Sequence, residues 1–350
     1  MGLYCDVCGV PKGISRGNVW YADGTITGRY PPYIKGTFFD ADELSYLFSS
    51  LSEYLGYDIS DIVASGKYHD AKEYISAMVE KIKEASGGKL PPDEDLYRMM
   101  LNPVCIWGIA IVEFGDMLPD RMVVNVKDPY SVPLLCGDVA GVADAITGRE
   151  NAAVWEGSES EGAIIVTPDR GHAEAQGRID EASGYDVQPD SEELACERCE
   201  GCGAPWGVSE LFEWKREACR IEERSSGRRY CFNNTRGISV VLAMLVEELG
   251  EDIEQKMVEM TREYSRSLYA GRGEGLDEKG ELESFACRGW GTVEEVPADG
   301  GKRSFTSLNP YNAILVAGRM WGMLEAAGET LHMTYRASEG DTLRLAFEAP

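Results

Sequence analysis

Cys5-Asp-Val-Cys8-Gly9 opens a stretch that the chain contains twice. The first copy reads Cys5-Asp-Val-Cys8-Gly9-Val-Pro11-Lys-Gly13-Ile-Ser15, and the second reads Cys199-Glu-Gly-Cys202-Gly203-Ala-Pro205-Trp-Gly207-Val-Ser209. The copies are 194 positions apart, and the alignment continues without a gap through residue 59. Fifteen of the 55 aligned pairs are identical, where unrelated sequences give about three. This period is much too long for a solenoid, so it indicates a duplicated domain.

Weaker landmarks extend the repeat over the rest of the chain. The matching pairs are Trp107-Gly108 with Trp290-Gly291, Asp128-Pro129-Tyr130 with Asn309-Pro310-Tyr311, and Gly137 and Gly141 with Gly318 and Gly322. The pattern predicts a mixed α/β (α+β) fold with two copies of one domain, related by a pseudo-two-fold axis. Each copy is expected to be an antiparallel sheet covered by helices. We place the first repeat at residues 1–168, an acidic linker at 169–195 and the second repeat at 196–350.

Composition and charge restrict the partners that the chain can have. The chain has 350 residues, enough for two domains with cores of their own, and a formal net charge of −26. A charge of this sign argues against nucleic acid and anionic membranes, because binding to phosphate needs clustered Lys and Arg. The sequence has neither a signal peptide nor an apolar run of the ~20 residues that a membrane span needs. We therefore expect a cytoplasmic protein whose ten cysteines are thiols or metal ligands rather than a disulfide framework.

Local patterns predict the helices that matter most. Asp40 and Glu43 form a capping box for an amphipathic helix that Gly56 ends. Residues 130–146 and 310–327 each form a helix with two glycines four positions apart. Glycine inside a helix costs about 1 kcal/mol relative to alanine, so such a pair indicates that something approaches one helix face closely. A packed strand and a bound ligand are the two alternatives.

The repeated Cys-x-x-Cys-Gly motif predicts a metal site. Its spacing places two sulfurs on one side of a tight turn, and the glycine lets the backbone fold beneath an ion. One knuckle supplies two of the four ligands that a closed zinc site needs. The duplication offers the other two, so we predict that Cys5, Cys8, Cys199 and Cys202 bind one zinc ion. A reduced or redox-active Cys-x-x-Cys pair without metal is the alternative.

Cys196 supports a second metal hypothesis. Cys196, Cys199 and Cys202 form a run of three thiols that the first half lacks. Such a run is typical of iron–sulfur ligation, although the Cys-Pro context of bacterial ferredoxins is missing. An iron–sulfur cluster on these three cysteines is therefore the alternative cofactor to zinc.

The order of the predicted elements resembles a known family. Over residues 18–167 and 212–349 a helical front is followed by two strands, a glycine-bearing helix and a hairpin, as in 4-vinyl reductase-type domains. This family includes predicted hydrocarbon-binding proteins and sensor domains of phenol-responsive activators. Its final hairpin carries cysteines that are not found here, because Glu156, Glu159 and Gly162 in one half and Arg336, Glu339 and Gly340 in the other keep only the glycine. The resemblance implies an α/β pocket for a small apolar or aromatic molecule.

Candidate ligand-binding residues lie on or near the glycine-bearing helices. They are Trp107, Tyr130, Cys136, Trp290, Tyr311 and Trp321. Each can line a pocket, and the alternative is that each simply fills the core. No catalytic residues are identified, because the three histidines (His69, His172 and His332) have no metal-binding spacing and no nucleophile, P-loop or dinucleotide motif is present.

Three functions fit these features. The first is a metal-containing tandem protein that binds a small apolar or aromatic molecule as a sensor, carrier or accessory protein. Since the sequence shows no output domain, such a protein would pass its signal to a protein partner. The second is an enzyme, or a subunit of one, that uses a Cys-ligated metal or an iron–sulfur centre. The third is an interaction scaffold with structural zinc.

Overall fold

The computed structural model describes residues 2–30, 33–118, 120–168, 191–271, 277–298 and 302–349. Most of the predicted linker, residues 169–190, and with it His172, lies outside these ranges. The described chain is mixed α/β with antiparallel sheets, as the sequence predicts. Within the described ranges, no helix combines the length and the apolar content that crossing a membrane requires.

The helices and strands follow the same order in the two halves of the sequence. The first half contains α1 (Lys12–Gly17), β1 (Asn18–Trp20), β2 (Ile26–Gly28), β3 (Lys35–Asp40), α2 (Ala41–Leu55), α3 (Ser60–Ala85), α4 (Asp93–Leu101), β4 (Ile111–Leu118), β5 (Arg121–Lys127), α5 (Val132–Thr147), β6 (Asn151–Gly157) and β7 (Glu161–Pro168). The second half contains α6 (Trp206–Leu211), β8 (Phe212–Lys215), β9 (Arg220–Glu223), β10 (Arg229–Asn234), α7 (Thr235–Leu249), α8 (Asp252–Ala270), α9 (Glu278–Arg288), β11 (Thr292–Val296), β12 (Arg303–Leu308), α10 (Ala313–Ala326), β13 (His332–Glu339) and β14 (Thr342–Glu348). Short 3₁₀ turns aside, each helix and strand within the described ranges has a counterpart in the other half.

Each half contributes one four-stranded antiparallel sheet. The strand orders are β4-β5-β7-β6 and β11-β12-β14-β13, which are the same order in the two halves. In both sheets the last two strands form a hairpin, β6 with β7 and β13 with β14. The glycine-bearing helix, α5 or α10, connects the second strand to this hairpin.

Two compact units divide the chain, and they do not coincide with the sequence repeats. We call residues 1–56, 186–213 and 250–350 the knuckle unit, and residues 57–185 and 214–249 the disulfide unit. Each unit therefore combines a front segment from one half of the sequence with the sheet and helices of the other half. In the disulfide unit, for example, Trp214 donates its indole N–H to the carbonyl of Ile106 at 3.1 Å. The repeat at residues 1–168 and 196–350 is a feature of the sequence, and this grouping does not test it.

Local sequence signals place the ends of helix α2 correctly. The Asp40 side chain caps the helix by accepting a hydrogen bond from the Glu43 amide, and Gly56 ends it in the left-handed conformation. By contrast, the sequence patterns described above do not predict helix α9. Its cap is also local, since Asp277 accepts from the amide of Gly280.

The paired glycines pack against a helix, which corrects the two alternatives of a strand or a ligand. A Cβ atom on Gly137 would lie 2.3 Å from the Ala64 carbonyl oxygen of α3, and one on Gly141 would lie 2.6 Å from the Tyr68 carbonyl oxygen. In the knuckle unit, a Cβ on Gly318 would lie 2.6 Å from the carbonyl oxygen of Val258 on α8. Distances this short exclude a side chain. The glycines thus permit close helix–helix packing of α5 on α3 and of α10 on α8.

A disulfide corrects the expectation that all ten cysteines are thiols or metal ligands. Cys105 and Cys219 are bonded in the disulfide unit across a sequence separation of 114 residues. No local motif marks either residue, and only the tertiary fold brings them together. The other eight cysteines form no disulfide.

Candidate metal centre

The first cysteine knuckle is shaped by backbone hydrogen bonds. The Cys5 amide donates to the Val10 carbonyl at 2.9 Å, and the Gly9 amide donates back to the Cys5 carbonyl at 3.0 Å. Gly9 has a φ of 78°, in the left-handed region that glycine adopts without strain. The turn therefore points the Cys5 and Cys8 sulfurs to one side.

The second knuckle repeats these contacts. The Cys199 amide donates to Ala204 at 2.9 Å, and the Gly203 amide donates to Cys199 at 2.8 Å. Gly203 has a φ of 79°. Each residue in this turn lies 194 positions after its counterpart, so the same sequence pattern produces the same turn.

A short backbone pairing within the knuckle unit brings the second knuckle to the first. The Ala22 amide donates to the Glu192 carbonyl at 2.9 Å, and the Leu194 amide donates to the Trp20 carbonyl at 2.8 Å. This pairing fixes the chain five residues before Cys199. At the contact itself, a Cβ on Gly201 would lie 3.0 Å from the Cys5 sulfur, so residue 201 must be small.

The four knuckle sulfurs form a compact group. The Sγ atoms of Cys5 and Cys199 are 3.7 Å apart, and those of Cys8 and Cys202 are 3.5 Å apart. All four ligand atoms lie within 4.8 Å of one another. A tetrahedral zinc ion with sulfurs at about 2.3 Å has sulfur–sulfur edges of about 3.8 Å. The sulfurs therefore have the spacing of four ligands to a single ion.

The group is shielded from solvent. Cys5 is 2% exposed, Cys199 3% and Cys202 9%, and Cys8 is half-buried. Burial raises the pKa of Cys8 and of Cys202. For Cys5, burial alone would raise the pKa, but hydrogen bonds from the Cys8 and Val7 amides and from the Cys199 and Cys202 side chains outweigh it and lower the pKa to about 7. A cation among the sulfurs would favour thiolates at all four positions.

Cys196 is not part of this group. Its side chain is exposed, and the four-sulfur group consists of Cys5, Cys8, Cys199 and Cys202. A polynuclear iron–sulfur cluster spreads its thiolates around several iron atoms, whereas these four sulfurs surround a single point. The arrangement thus suits one ion and does not bring together the Cys196, Cys199 and Cys202 set.

The candidate ligand-binding residues of the knuckle unit lie in its core. Trp290 is fully buried, donates its indole N–H to the Phe38 carbonyl at 2.7 Å and stacks on Tyr311 with ring centroids 5.3 Å apart. Trp321 donates to the Leu331 carbonyl at 3.0 Å. The Arg262 guanidinium covers the Trp321 ring at 4.4 Å from the centroid. These contacts hold the rings in place, and their role in ligand binding stays a prediction.

The candidates of the disulfide unit are buried or half-buried. Tyr130 is 5% exposed, and its hydroxyl donates to Asp138 at 3.2 Å. Cys136 is buried on α5, and burial raises its pKa to about 12, which keeps it a thiol. Trp107 is half-buried. Their ligand-binding role is likewise a prediction.

Sequence analysis missed a buried charge cluster in each unit. In the knuckle unit, Arg319 of α10 contacts Asp40 at 3.1 Å and Glu43 at 2.9 Å, and its guanidinium lies 4.7 Å from the Trp290 ring centroid. The Tyr264 hydroxyl donates to Asp40 at 3.0 Å. Such a cluster is not recognisable in the sequence, because acidic residues are abundant and the residues next to Asp40 do not show that it is buried with a cation.

The cluster of the disulfide unit lies between α3 and α5. Lys67 of α3 contacts Asp70 at 2.8 Å and Asp138 of α5 at 3.3 Å, and Arg236 of α7 lies 3.6 Å from Asp70. Desolvation raises the pKa of Asp138 to about 6, although Lys67 opposes this shift. Lys67, Asp70 and Arg236 are each less than 10% exposed, so opposite charges compensate one another inside the unit.

Comparison of the chain with family models, with curated proteins and with solved structures finds no match.

Proposed function

We propose that the protein is a zinc-containing, tandem small-molecule-binding protein in which the zinc ion is structural. The observation that carries the metal assignment is the group of four sulfurs within 4.8 Å of one another. Four cysteine ligands leave no open position for a substrate or a water molecule, and this is the arrangement of structural zinc sites. Burial of Cys5, Cys199 and Cys202 supports the same role.

The ion would hold together parts of the knuckle unit that are distant in sequence. Cys5 and Cys8 lie in its first segment, and Cys199 and Cys202 lie in its second. Because an unfolded chain lacks the preformed site, the free energy of metal binding adds to the free energy of folding. Zinc would thus fix the front of this unit without taking part in chemistry.

Small-molecule binding is the part of the proposal that rests on the family resemblance and on the duplication. The shared order of elements, the shared sheet order and the matching glycine contacts support two copies of one domain. A sensor, carrier or accessory role for an apolar or aromatic compound follows from the resemblance. Fold alone does not determine function, so this role is tested separately from the metal.

Metal analysis with matched cysteine variants tests the zinc assignment. We expect protein purified without air to contain one zinc per chain and to show no visible absorption. Cys8→Ser and Cys202→Ser should each lose the metal, and hydrogen exchange should then show reduced protection in both knuckles. Cys196→Ser is the control, because Cys196 lies in the same segment but outside the sulfur group.

Two results would contradict the zinc assignment. Bound iron with a strong visible absorption would favour the second function described above, an enzyme or enzyme subunit that uses an iron centre. Loss of metal in Cys196→Ser together with retention in Cys5→Ser would show that the second knuckle binds its ion without the first.

A further inference from the structure

A groove in the disulfide unit has the features of a small-molecule site. It has a volume of about 280 Å³ and lies where the end of α5, the start of α4 and the tips of strands β5 and β7 meet. This volume is slightly below the ~300–1,000 Å³ typical of sites for drug-sized ligands, so the groove suits a compact molecule with a single ring. None of the six ligand-binding residues predicted from the sequence lines it.

The floor of the groove is apolar. Tyr97 is 5% exposed, Met122 6% and Val166 3%, and all three line the groove. A tyrosine ring beside a methionine and a valine offers a flat surface on which an aromatic or short aliphatic group gains contact area. This floor therefore favours a ligand with an apolar body.

Tyr97 also directs an unused polar group into the groove. The residue as a whole is almost fully buried, but its hydroxyl is open to solvent and has no hydrogen-bond partner within the described part of the chain. Burial raises the pKa of Tyr97 to about 12, and Asp93 raises it while Arg149 lowers it. Both of these charged residues line the groove, so the hydroxyl faces it. A hydroxyl that only water satisfies is a donor that a ligand acceptor can take over.

The rim supplies positive charge beside this donor. Arg121 and Arg149 both line the groove, and Arg121 forms no ion pair with any residue that the structure describes. Acidic side chains are present as well, but Glu94 is already paired with Arg98 at 2.7 Å. Asp93 and Asp120 are exposed, as are Arg121 and Arg149, so water solvates all four side chains when no ligand is bound. An anionic ligand would be met by the hydroxyl and the guanidinium groups together.

We propose that this groove binds a small monocarboxylate with an apolar, preferably aromatic, body. The body lies on Tyr97, Met122 and Val166, and the carboxylate accepts hydrogen bonds from Tyr97 and from Arg121 or Arg149. This inference rests on the proposed small-molecule binding and names a location and a ligand class for it. It does not depend on the metal.

The test uses three probes of one shape on the full chain. Phenylacetate, its neutral amide and phenethylamine differ in charge at the same end of the same ring. Calorimetric titration should show binding of phenylacetate and at least about tenfold weaker binding of the amide and of the amine. Tyr97→Phe and Arg121→Gln should each weaken phenylacetate binding about tenfold, a loss typical of one hydrogen bond to a charged group.

Arg16→Gln is the matched control. Arg16 is also an exposed arginine, but it belongs to the knuckle unit. We expect the Arg16→Gln variant to bind phenylacetate with the same affinity as the wild type. Thermal unfolding of every variant shows whether a loss of binding comes from a loss of folding, and Tyr97→Phe keeps the ring that packs in the floor.

Four outcomes overturn the inference. Equal affinity for the three probes would show that the groove does not recognise the carboxylate. Equal affinity of Arg121→Gln and the wild type for phenylacetate would show that the arginine on the rim does not contribute to binding. If phenylacetate does not bind but an uncharged aromatic such as phenol binds, this inference is wrong while small-molecule binding stands. If none of these compounds binds, the small-molecule part of the proposed function is contradicted too.

Discussion

The helix pair α8–α10 of the knuckle unit and the helix pair α3–α5 of the disulfide unit share their backbone contacts and differ in their charges. In both pairs two glycines four positions apart let one helix backbone approach the other. The residue after the first glycine is Arg319 in α10 and Asp138 in α5. Arg319 meets the carboxylates of Asp40 and Glu43, whereas Asp138 meets the ammonium group of Lys67.

This difference separates what the packing requires from what it tolerates. The close approach of the backbones requires glycine, because any Cβ at these positions would overlap a carbonyl oxygen or an amide nitrogen of the partner helix. The sign of the neighbouring charge is not required, provided that a buried partner of opposite sign compensates it. The two units thus use one packing geometry with opposite charge arrangements.

Of the substitutions that test this comparison, removal of the Arg319 charge should cause the largest loss of stability. Arg319→Met leaves Asp40 and Glu43 buried without their cation, and we expect a loss of about 3–5 kcal/mol in the free energy of unfolding. Urea unfolding of the variant and the wild type measures the difference. A triple variant that also carries Asp40→Asn and Glu43→Gln should recover part of the loss, because no uncompensated charge remains. An unchanged midpoint in Arg319→Met would show that the ion cluster contributes nothing.

Filling the glycine positions should have the next largest effect, and a similar one in both units. Gly141→Ala and Gly322→Ala each place a methyl group within about 3 Å of partner backbone, so we expect a loss of about 3 kcal/mol for each. Gly17→Ala is the control, since nothing lies within 4 Å of its Cβ position. Unfolding measurements on the three variants test the equivalence of the two helix pairs. If only one of the two substitutions lowers the free energy of unfolding, the two helix pairs share their geometry but not its contribution to stability.

The smallest expected effect is a pH dependence that comes from Asp138, whose counterpart in the knuckle unit is the basic residue Arg319. Burial raises the pKa of Asp138 to about 6, so between this value and about 3.9 the folded chain binds a proton that the unfolded chain releases. The stabilising contribution is therefore complete below about pH 4 and is lost as the pH rises through 6. This contribution to the free energy of unfolding is at most about 3 kcal/mol. Rearrangement of the neighbouring charges of Lys67, Asp70 and Arg236 would reduce it.

Asp138→Asn isolates this contribution from the other carboxylates of the chain. The variant lacks the titrating group, so the difference in stability between wild type and variant should shift in favour of the wild type as the pH falls from 7 to 4. Arg319→Lys, which keeps the charge in the other unit, should show no such trend. A difference that stays constant over this range would contradict the raised pKa of Asp138.

The cross-links extend the same contrast. The knuckle unit joins its segments through four cysteines that suit one metal ion, and the disulfide unit joins its segments through the Cys105–Cys219 bond. The four cysteines are predictable, because they lie in a repeated motif whose turn is stabilised by its own backbone. Cys105 and Cys219 are not predictable, because their pairing depends on a contact between segments 114 residues apart.

The sequence by itself determined the features that depend on near neighbours. The knuckle turns with Gly9 and Gly203, the cap of α2 at Asp40 and the glycine pairs of α5 and α10 all follow from residues a few positions apart, where backbone geometry and hydrogen bonding act directly. Only the tertiary structure decided which segments form each unit, what covers the glycines, and which buried charges meet. These features depend on contacts between distant segments, and a single sequence carries no local signal for such contacts.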